Sequence, residues 1–584
     1  MGWSKRLVRR TGWDLSTSAM VLAVLVFLVF FLFVPLANVF KLALWTPRGF
    51  TLHFVANALR NSAVRESLVN ALLLASVTTV AATLLSLPLA FINVRLEFPG
   101  KRLLGALLLV PMILPPFVGA IGMRQLLGPY GVLNAALARV GLIGAAEHYD
   151  WFGTFPLAGV VLLQTLHLYP IIYLNLVASL ANVDPSLEDA GRNAGAAGWT
   201  LFRRITLPLM WPGLFAGAVL VFLWALTDLG TPLMFNFREV IAVHIFDSIN
   251  ESGAADPNAL VVILLVMVAV VYYGARLLMG RRGHEMMARS VQVSAGRCLA
   301  WRGTALCWMM FGVVILLAAM PHVMVVLTSF ADQWTGTLLP PHLTTAHHAE
   351  ALRHELTLPS IRNSLFYSLA ATGICVVLAV WAAYVLVRKK FLGRGALDAM
   401  LMLPLAIPGL VLAFGFLNCY HGVGQRFVDA GWWRQNYLYP EANPVLLLVV
   451  AYAVRRVPYM LRSAVAGLEQ TSRTLEEAAL NLGASPVRTV LRITVPLVMA
   501  NIIAGGILVF TFSMLEVSDS LVLARDRGFF PLTKAIWSIF TDEYSTFQYA
   551  TSSALGVWAM VLLGVSLLVT TRLLGRKMGA IFRA

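Results

Sequence analysis

Charged and amide side chains are scarce in this chain, so their positions are informative. Two acidic pairs, Glu188-Asp189 and Glu476-Glu477, stand in short polar stretches between long apolar ones. A second set lies within apolar runs: Gln164, His167, Asp228, Arg455, Arg456, Glu516 and Asp519. Ionisable groups at membrane depth are costly and point to function by default, here to a translocation pathway lined by these seven residues. If Asp228 and Glu516 face a cavity, they are hard oxygen ligands or charge selectors suited to a cation. The competing reading makes them hydrogen-bonded, half-solvated acids near helix ends. Arg455 and Arg456 point into a cavity or an interface between halves, with an anion role as the alternative. A third group is His342, His347, His348 and His354 with Glu350 and Glu355. His347, Glu350 and His354 could share a helix face, but exposed helical loops collect such residues, and no metal site is assigned there. No nucleophile–base pair accompanies these groups. The phosphate-cradling G-x-x-x-x-G-K-[ST] pattern is absent too, since Pro99-Gly100-Lys101-Arg102 lacks the first glycine and the final hydroxyl.

The elements that carry these residues repeat. Leu187-Glu188-Asp189-Ala190-Gly191 runs through Gly195, Arg203-Arg204 and Ile205-Thr206-Leu207-Pro208. Leu475-Glu476-Glu477-Ala478-Ala479 runs through Gly483 and Arg492-Ile493-Thr494-Val495-Pro496. The offset is constant and gapless, the mark of an internally repeated architecture. Around these stretches the chain is 59% hydrophobic and only 12% charged, with mean hydropathy +0.78. A soluble protein carries roughly 25% charged residues, so this chain belongs in lipid. Cys298, Cys307, Cys375 and Cys419 are scattered, which argues against disulfides and a zinc site.

Apolar runs long enough to cross a bilayer as helix fall near 18–44, 68–94, 103–127, 155–181, 213–235 and 259–280. A second set falls near 303–330, 361–387, 396–420, 444–468, 500–523 and 552–575. The expectation is an all-α membrane protein of twelve spans, as two parallel six-helix repeats: 1–282, a cytoplasmic linker 283–302, and 303–584. The first apolar run is too long for a cleavable signal. Lys5, Arg6, Arg9 and Arg10 predict a cytoplasmic start, and alternate loops then hold about twice the Lys and Arg of the opposite side. That accounts for the net charge of +16 without nucleic acid and puts both termini and both polar stretches in the cytoplasm. Matches recur elsewhere: Asn70 with Asn363, Pro111 and Pro115 with Pro404 and Pro408, His167 with Arg455, Asp228 with Glu516.

Thr474-x-x-Glu477 and Ser186-x-x-Asp189 have capping-box spacing, and Gly195 and Gly483 stand where a short helix must end. Ser485-Pro486 starts a second short helix. Each stretch is therefore expected to form a helix–glycine–helix knob. Two matched knobs suit docking onto a symmetric, dimeric partner.

This pattern resembles the EAA signature (Glu-Ala-Ala, three residues, Gly, nine residues, Ile-x-Leu-Pro) of permease subunits of ATP-binding-cassette importers. Glu477, Ala478, Ala479, Gly483, Ile493 and Pro496 fit, with Val495 replacing Leu. The first copy fits at Ala190, Gly195, Ile205, Leu207 and Pro208, but carries Asp189 for Glu and Gly191 for the second Ala. The resemblance implies the type I importer permease fold and ATPase docking through Glu188, Asp189, Ala190, Gly195, Arg204 and Pro208, and through Glu476, Glu477, Ala478, Ala479, Gly483, Arg492 and Pro496. It implies a homodimeric cytoplasmic ATP-binding subunit holding ATP and Mg, no cofactor on this chain, a periplasmic binding protein, and a bacterial inner-membrane location. Length and the Asp228-Leu229-Gly230 region are most similar to the ferric-iron branch; thiamine, aminoethylphosphonate, sugar phosphates and polyamines are the alternatives. An ion-coupled secondary transporter would leave the paired knobs without a purpose.

Overall fold

The computed structural model describes residues 15–144, 147–181, 183–250, 256–279, 297–429, 440, 443–542 and 548–581. The basic N-terminus, Glu251, most of the linker and Arg583 lie outside them. Among the described residues, eight helices are long and apolar enough to cross a membrane, eleven if each of three bent pairs is one span. The expected tenth span is present as the 26-residue helix Val445–Gln470. It carries Arg455, Arg456 and Arg462, so it reads as less apolar than its neighbours.

The third span of each half is broken. Lys101–Ile113 and Pro116–Arg139 meet at 95°, and Arg394–Ala406 and Gly409–Gly422 at 99°. Proline explains both breaks, because its missing N–H and its ring cannot continue a helix. The first break has Pro115 and the second Pro408 in the interruption. Carbonyls near the first bend find partners on the fourth span: Tyr169 Oη donates to Leu108 O at 2.7 Å, and His167 Nδ1 lies 2.9 Å from Pro111 O.

The fifth spans differ from expectation at both ends. In the first half the helical run Gly198–Thr227 starts inside the polar stretch. It stops before Asp228, and a five-residue helix, Gly230–Met234, follows. In the second half Val490–Leu497 and Met499–Met514 meet at 69°, and Ser518–Leu523 follows. The apolar runs 213–235 and 500–523 each hide this interruption, because both sides of it are hydrophobic.

The chain forms two compact units whose membership does not follow the expected halves. One unit comprises 56–351 with 540–557; the other comprises 1–55, 352–539 and 558–584. The opening helix of each half has therefore gone to the other unit. Close backbone approach holds it there. In the first unit a Cβ on Gly122 would lie 1.8 Å from Pro321 O, on helix Trp301–Phe330. In the second the approach is looser, a Cβ on Gly415 lying 3.2 Å from Pro35 Cβ and 3.4 Å from its backbone, and Tyr420 Oη donates to Phe30 O at 2.6 Å. Of the linker, Arg297–Cys298 pairs in parallel with Leu96–Glu97.

Packing of the fourth span on the fifth also repeats, with the small residue exchanged between partners. A Cβ on Gly213 would lie 2.4 Å from Ser179 Cβ, and one on Gly467 would lie 2.9 Å from Asn501 Cβ. Close helix approach is conserved in geometry while the glycine changes sides.

Candidate functional site

Each polar stretch folds as a helix–glycine–helix knob. The first helix is Pro185–Asn193 in one copy and Arg473–Asn481 in the other. Their caps stand two residues before the expected capping boxes. Asp184 accepts from Ser186 N at 2.9 Å, and Ser472 accepts from Thr474 N at 3.2 Å. That bond holds the Asp184 carboxyl below its usual range. Proline at the first helical position moves the first start forward, since its fixed φ suits N1. Both helices end in the same Schellman motif: Gly195 and Gly483 each have φ +86°. Ala196 N returns to Gly191 O at 2.9 Å and Ala484 N to Ala479 O at 3.0 Å. A short second helix follows, Gly198–Leu201 or Pro486–Thr489. Each then passes through one π-helical turn, Phe202–Thr206 or Val490–Thr494, before Pro208 or Pro496 enters the next helix. Nothing in the sequence pattern distinguishes a π turn from an α turn at Arg-Ile-Thr.

The acidic pairs divide their side chains. Asp189 is exposed, with its side chain paired to Arg192 at 2.7 Å. Glu477 is exposed as well. Glu188 and Glu476 turn inward. Glu188 meets Arg95, at the end of the second span, at 2.6 Å, and accepts from Thr206 Oγ1 at 3.1 Å. Glu476 meets Arg388, at the end of the equivalent span, at 3.0 Å. Arg388 also donates to Thr471 O at 3.1 Å. Side-chain exposures in these two pairs are only 7–11%. The ion pairs were not legible in the sequence because Arg95 and Glu188 are 93 residues apart and Arg388 and Glu476 88.

Gly191, the departure from the Glu-Ala-Ala pattern, faces inward too. A Cβ there would sit 2.2 Å from Ile205 Cδ1. Its counterpart Ala479 is buried. The substitution therefore changes packing inside the knob, not its outer face. That face presents Asp189, Ala190, Gly195, Arg204 and Pro208 in one copy, and Glu477, Ala478, Gly483, Arg492 and Pro496 in the other. Trp199 is 70% exposed and Leu482 89%.

The polar residues within the spans, His167 apart, gather at the break after each fifth span. Asp228 accepts from Gln164 Nε2 at 3.0 Å and from Gly230 N at 3.1 Å, which caps the short helix Gly230–Met234. His167 does not join this pair; its Nδ1 is engaged with Pro111 O. Glu516 caps the equivalent helix by accepting from Asp519 N at 3.2 Å. It also binds Arg455 at 2.7 Å and pairs with Arg456, whose Nη2 donates to Phe512 O at 2.7 Å. Asp519 reaches Arg455 at 3.2 Å. The two positive and two negative charges balance, as buried charges require. Gly409 at the broken third span makes room for them: a Cβ there would lie 2.3 Å from Arg455 Nη1 and 2.8 Å from Asp519 Oδ1.

The histidine-rich segment disperses its rings. His348 packs on Phe330 and meets Ser329 Oγ at 3.2 Å, while His354 Nδ1 accepts from Leu356 N at 3.2 Å. Among the described residues no three His, Cys, Asp or Glu side chains converge as a metal site would require.

Two known proteins are similar along most of the chain, and a third along part of it. The putative ferric transport system permease protein FbpB 1 of Haemophilus influenzae is 24% identical over 521 residues, 86% of this chain and 77% of its own. The ferric transport system permease protein FbpB of Actinobacillus pleuropneumoniae is 23% identical over 515 residues, 86% of this chain and 71% of its own. The molybdenum transport system permease protein ModB of Escherichia coli is 37% identical over 172 residues, 28% of this chain and 70% of its own. The family of binding-protein-dependent transport system inner membrane components matches twice, over 82–281 and 375–580, once for each knob. The chain therefore belongs to that family, as a fused, double-domain permease of an ATP-binding-cassette importer of the inner membrane.

Proposed function

We propose that this permease imports ferric iron, with each knob seated in a cleft of one subunit of a homodimeric cytoplasmic ATPase. The observation that carries the docking reading is the duplicated knob: the same caps, glycine and π turn hold an outward acid and small residues in both copies. A dimer with two identical clefts needs a duplicated counterpart. ATP and Mg belong to that partner, and a periplasmic binding protein delivers the solute. Both termini lie in the cytoplasm, as the Lys and Arg bias supports. Similarity to ferric transport permeases over 86% of the chain supports the substrate; the partial match to a molybdenum permease, of higher identity over 28% of the chain, makes molybdate the comparison solute. ATP-driven closure of the ATPase pair biases a membrane element with two stable arrangements. Gln164, Asp228, His167, Arg455, Arg456, Glu516 and Asp519 hold the helix breaks in the shape that this movement requires.

The test is uptake into proteoliposomes holding the permease and its ATPase, with binding protein loaded with ferric iron or with molybdate. Iron accumulation that requires ATP supports the reading. Accumulation of molybdate instead overturns the substrate, and accumulation driven by an ion gradient without ATPase overturns the mechanism. Glu477→Lys is expected to weaken co-purification of the ATPase without abolishing it, because it puts a cation where one knob presents a carboxylate and leaves the other knob intact.

A further inference from the structure

The second span of each half is tied at both ends, and the two ties repeat. At one end are the buried pairs Arg95–Glu188 and Arg388–Glu476. At the other, Asn70 Nδ2 donates to Glu239 O at 3.0 Å. Asn363 Nδ2 donates to Gly528 O at 2.9 Å and Phe530 O at 3.2 Å. Both asparagines therefore grip the loop that follows the fifth span of their own half. The helices between are continuous, Ser62–Arg95 and Thr357–Arg388. The spacing from Asn70 to Arg95 equals that from Asn363 to Arg388, 25 positions, or about 38 Å of helix at 1.5 Å per residue. That is enough to cross a hydrocarbon core of roughly 30 Å.

We propose that each second span is a push-rod: Arg95 and Arg388 fix it to the knob, and Asn70 and Asn363 fix it to the loop on the far side of the membrane. The rod carries a displacement of the knob to that loop. Glu188 and Glu476 are thus positioning residues that act inside the permease, while the neighbouring Asp189 and Glu477 face the partner. The physical basis is stiffness at the knob joints, where Arg95–Glu188 and Arg388–Glu476 are buried ion pairs. A charge-assisted bond removed from water resists separation far more than an exposed one, because the pair has no solvent to fall back on. The asparagine joints are neutral bonds to backbone carbonyls, and that of Asn70 is exposed. A carboxylate shared between the rod, the knob and, in the first half, Thr206 at the foot of the fifth span leaves the knob no independent movement. The inference rests on the docking reading above.

The experiment is hydrogen–deuterium exchange on the permease–ATPase complex, free and trapped with ATP and vanadate, followed in peptides covering 471–484 and 525–532. In the wild type both peptides are expected to change on trapping. In Glu476→Gln the knob peptide changes as before, and the response of 525–532 falls at least about fivefold, the lower end of ordinary allosteric coupling. Asn363→Ala gives the same separation from the other end of the rod. Glu476→Asp, which keeps the carboxylate opposite Arg388, retains most of the response, which a merely structural lesion would not do. A full response of 525–532 in both Glu476→Gln and Asn363→Ala overturns the push-rod, as does loss of the knob response in Glu476→Gln, which would make that residue a docking residue. Failure of the wild-type knob to respond would overturn the docking reading itself.

Discussion

Gly409 shows how one missing methyl group admits a charged cluster. The Arg455 guanidinium and the Asp519 carboxylate occupy the space a Cβ would need, at 2.3 and 2.8 Å. Arginine tips are flexible, but this one is held by Glu516 and Asp519, so it cannot swing aside without losing both. Gly409→Ala is expected to lower stability by about 1–3 kcal/mol, the ordinary cost of overpacking. Gly373, where a Cβ meets nothing within 4 Å, is the control; alanine there is neutral or stabilising by under about 1 kcal/mol. Thermal unfolding of both variants in detergent checks the contrast, and equal shifts would refute it. At this scale the sequence shows which residues are out of place in lipid but not what each one touches. Asp228 and Glu516 stand out as candidate cation ligands; in the fold each spends its oxygens on helix caps and neighbouring side chains. A carboxylate that caps a break and one that binds a solute look alike in one dimension.

At the level of elements, the knobs were legible because their signals are local. Glycine, proline and cap chemistry act within a few residues, so Gly195 and Gly483 end their helices where the pattern places them. The caps lay two residues off because Asp184 and Ser472 accept from the N–H groups of Ser186 and Thr474, so each helix has already begun where those residues would have capped it. Gly483 and Gly191, one in each knob, predict unequal consequences from the same substitution. At φ +86° any Cβ is strained, so Gly483→Ala should cost roughly 1–2 kcal/mol and loosen the turn. Gly191→Ala meets Ile205 instead and strains the packing of helix on π turn. Limited proteolysis of the free permease should therefore cut at 482–486 in Gly483→Ala. In Gly191→Ala together with Ile205→Val, the smaller side chain should return proteolysis to the wild-type pattern. If Ile205→Val gives no relief, the inward placement of Gly191 is wrong.

At the scale of the whole chain, the repeat was legible and the exchange of opening helices was not. Sequence similarity reports ancestry along the chain, whereas packing reports which surfaces fit, and nothing obliges the two to agree. Helix Trp301–Phe330 opens the second half yet packs with the first, where Gly122 lets the Pro321 carbonyl approach closely. Each unit therefore lacks one of its helices unless both halves of the sequence are present. Cutting the chain in the linker between residues 283 and 296 should give two fragments that fail separately. Each would expose the surface its missing helix covers, and apolar surface of that kind aggregates or is degraded. Expressed together they should co-purify through either tag, because the exchanged helices bury against the other fragment. Gly122→Ala in the first fragment should then weaken the association, since Pro321 O has no room beside a Cβ and backbone cannot yield as a side-chain tip can. Gly312→Ala in the second fragment, a position with open space, should leave it unchanged. A first fragment that is monodisperse alone and melts with the intact permease would show instead that the halves fold independently, and the exchange would be dispensable.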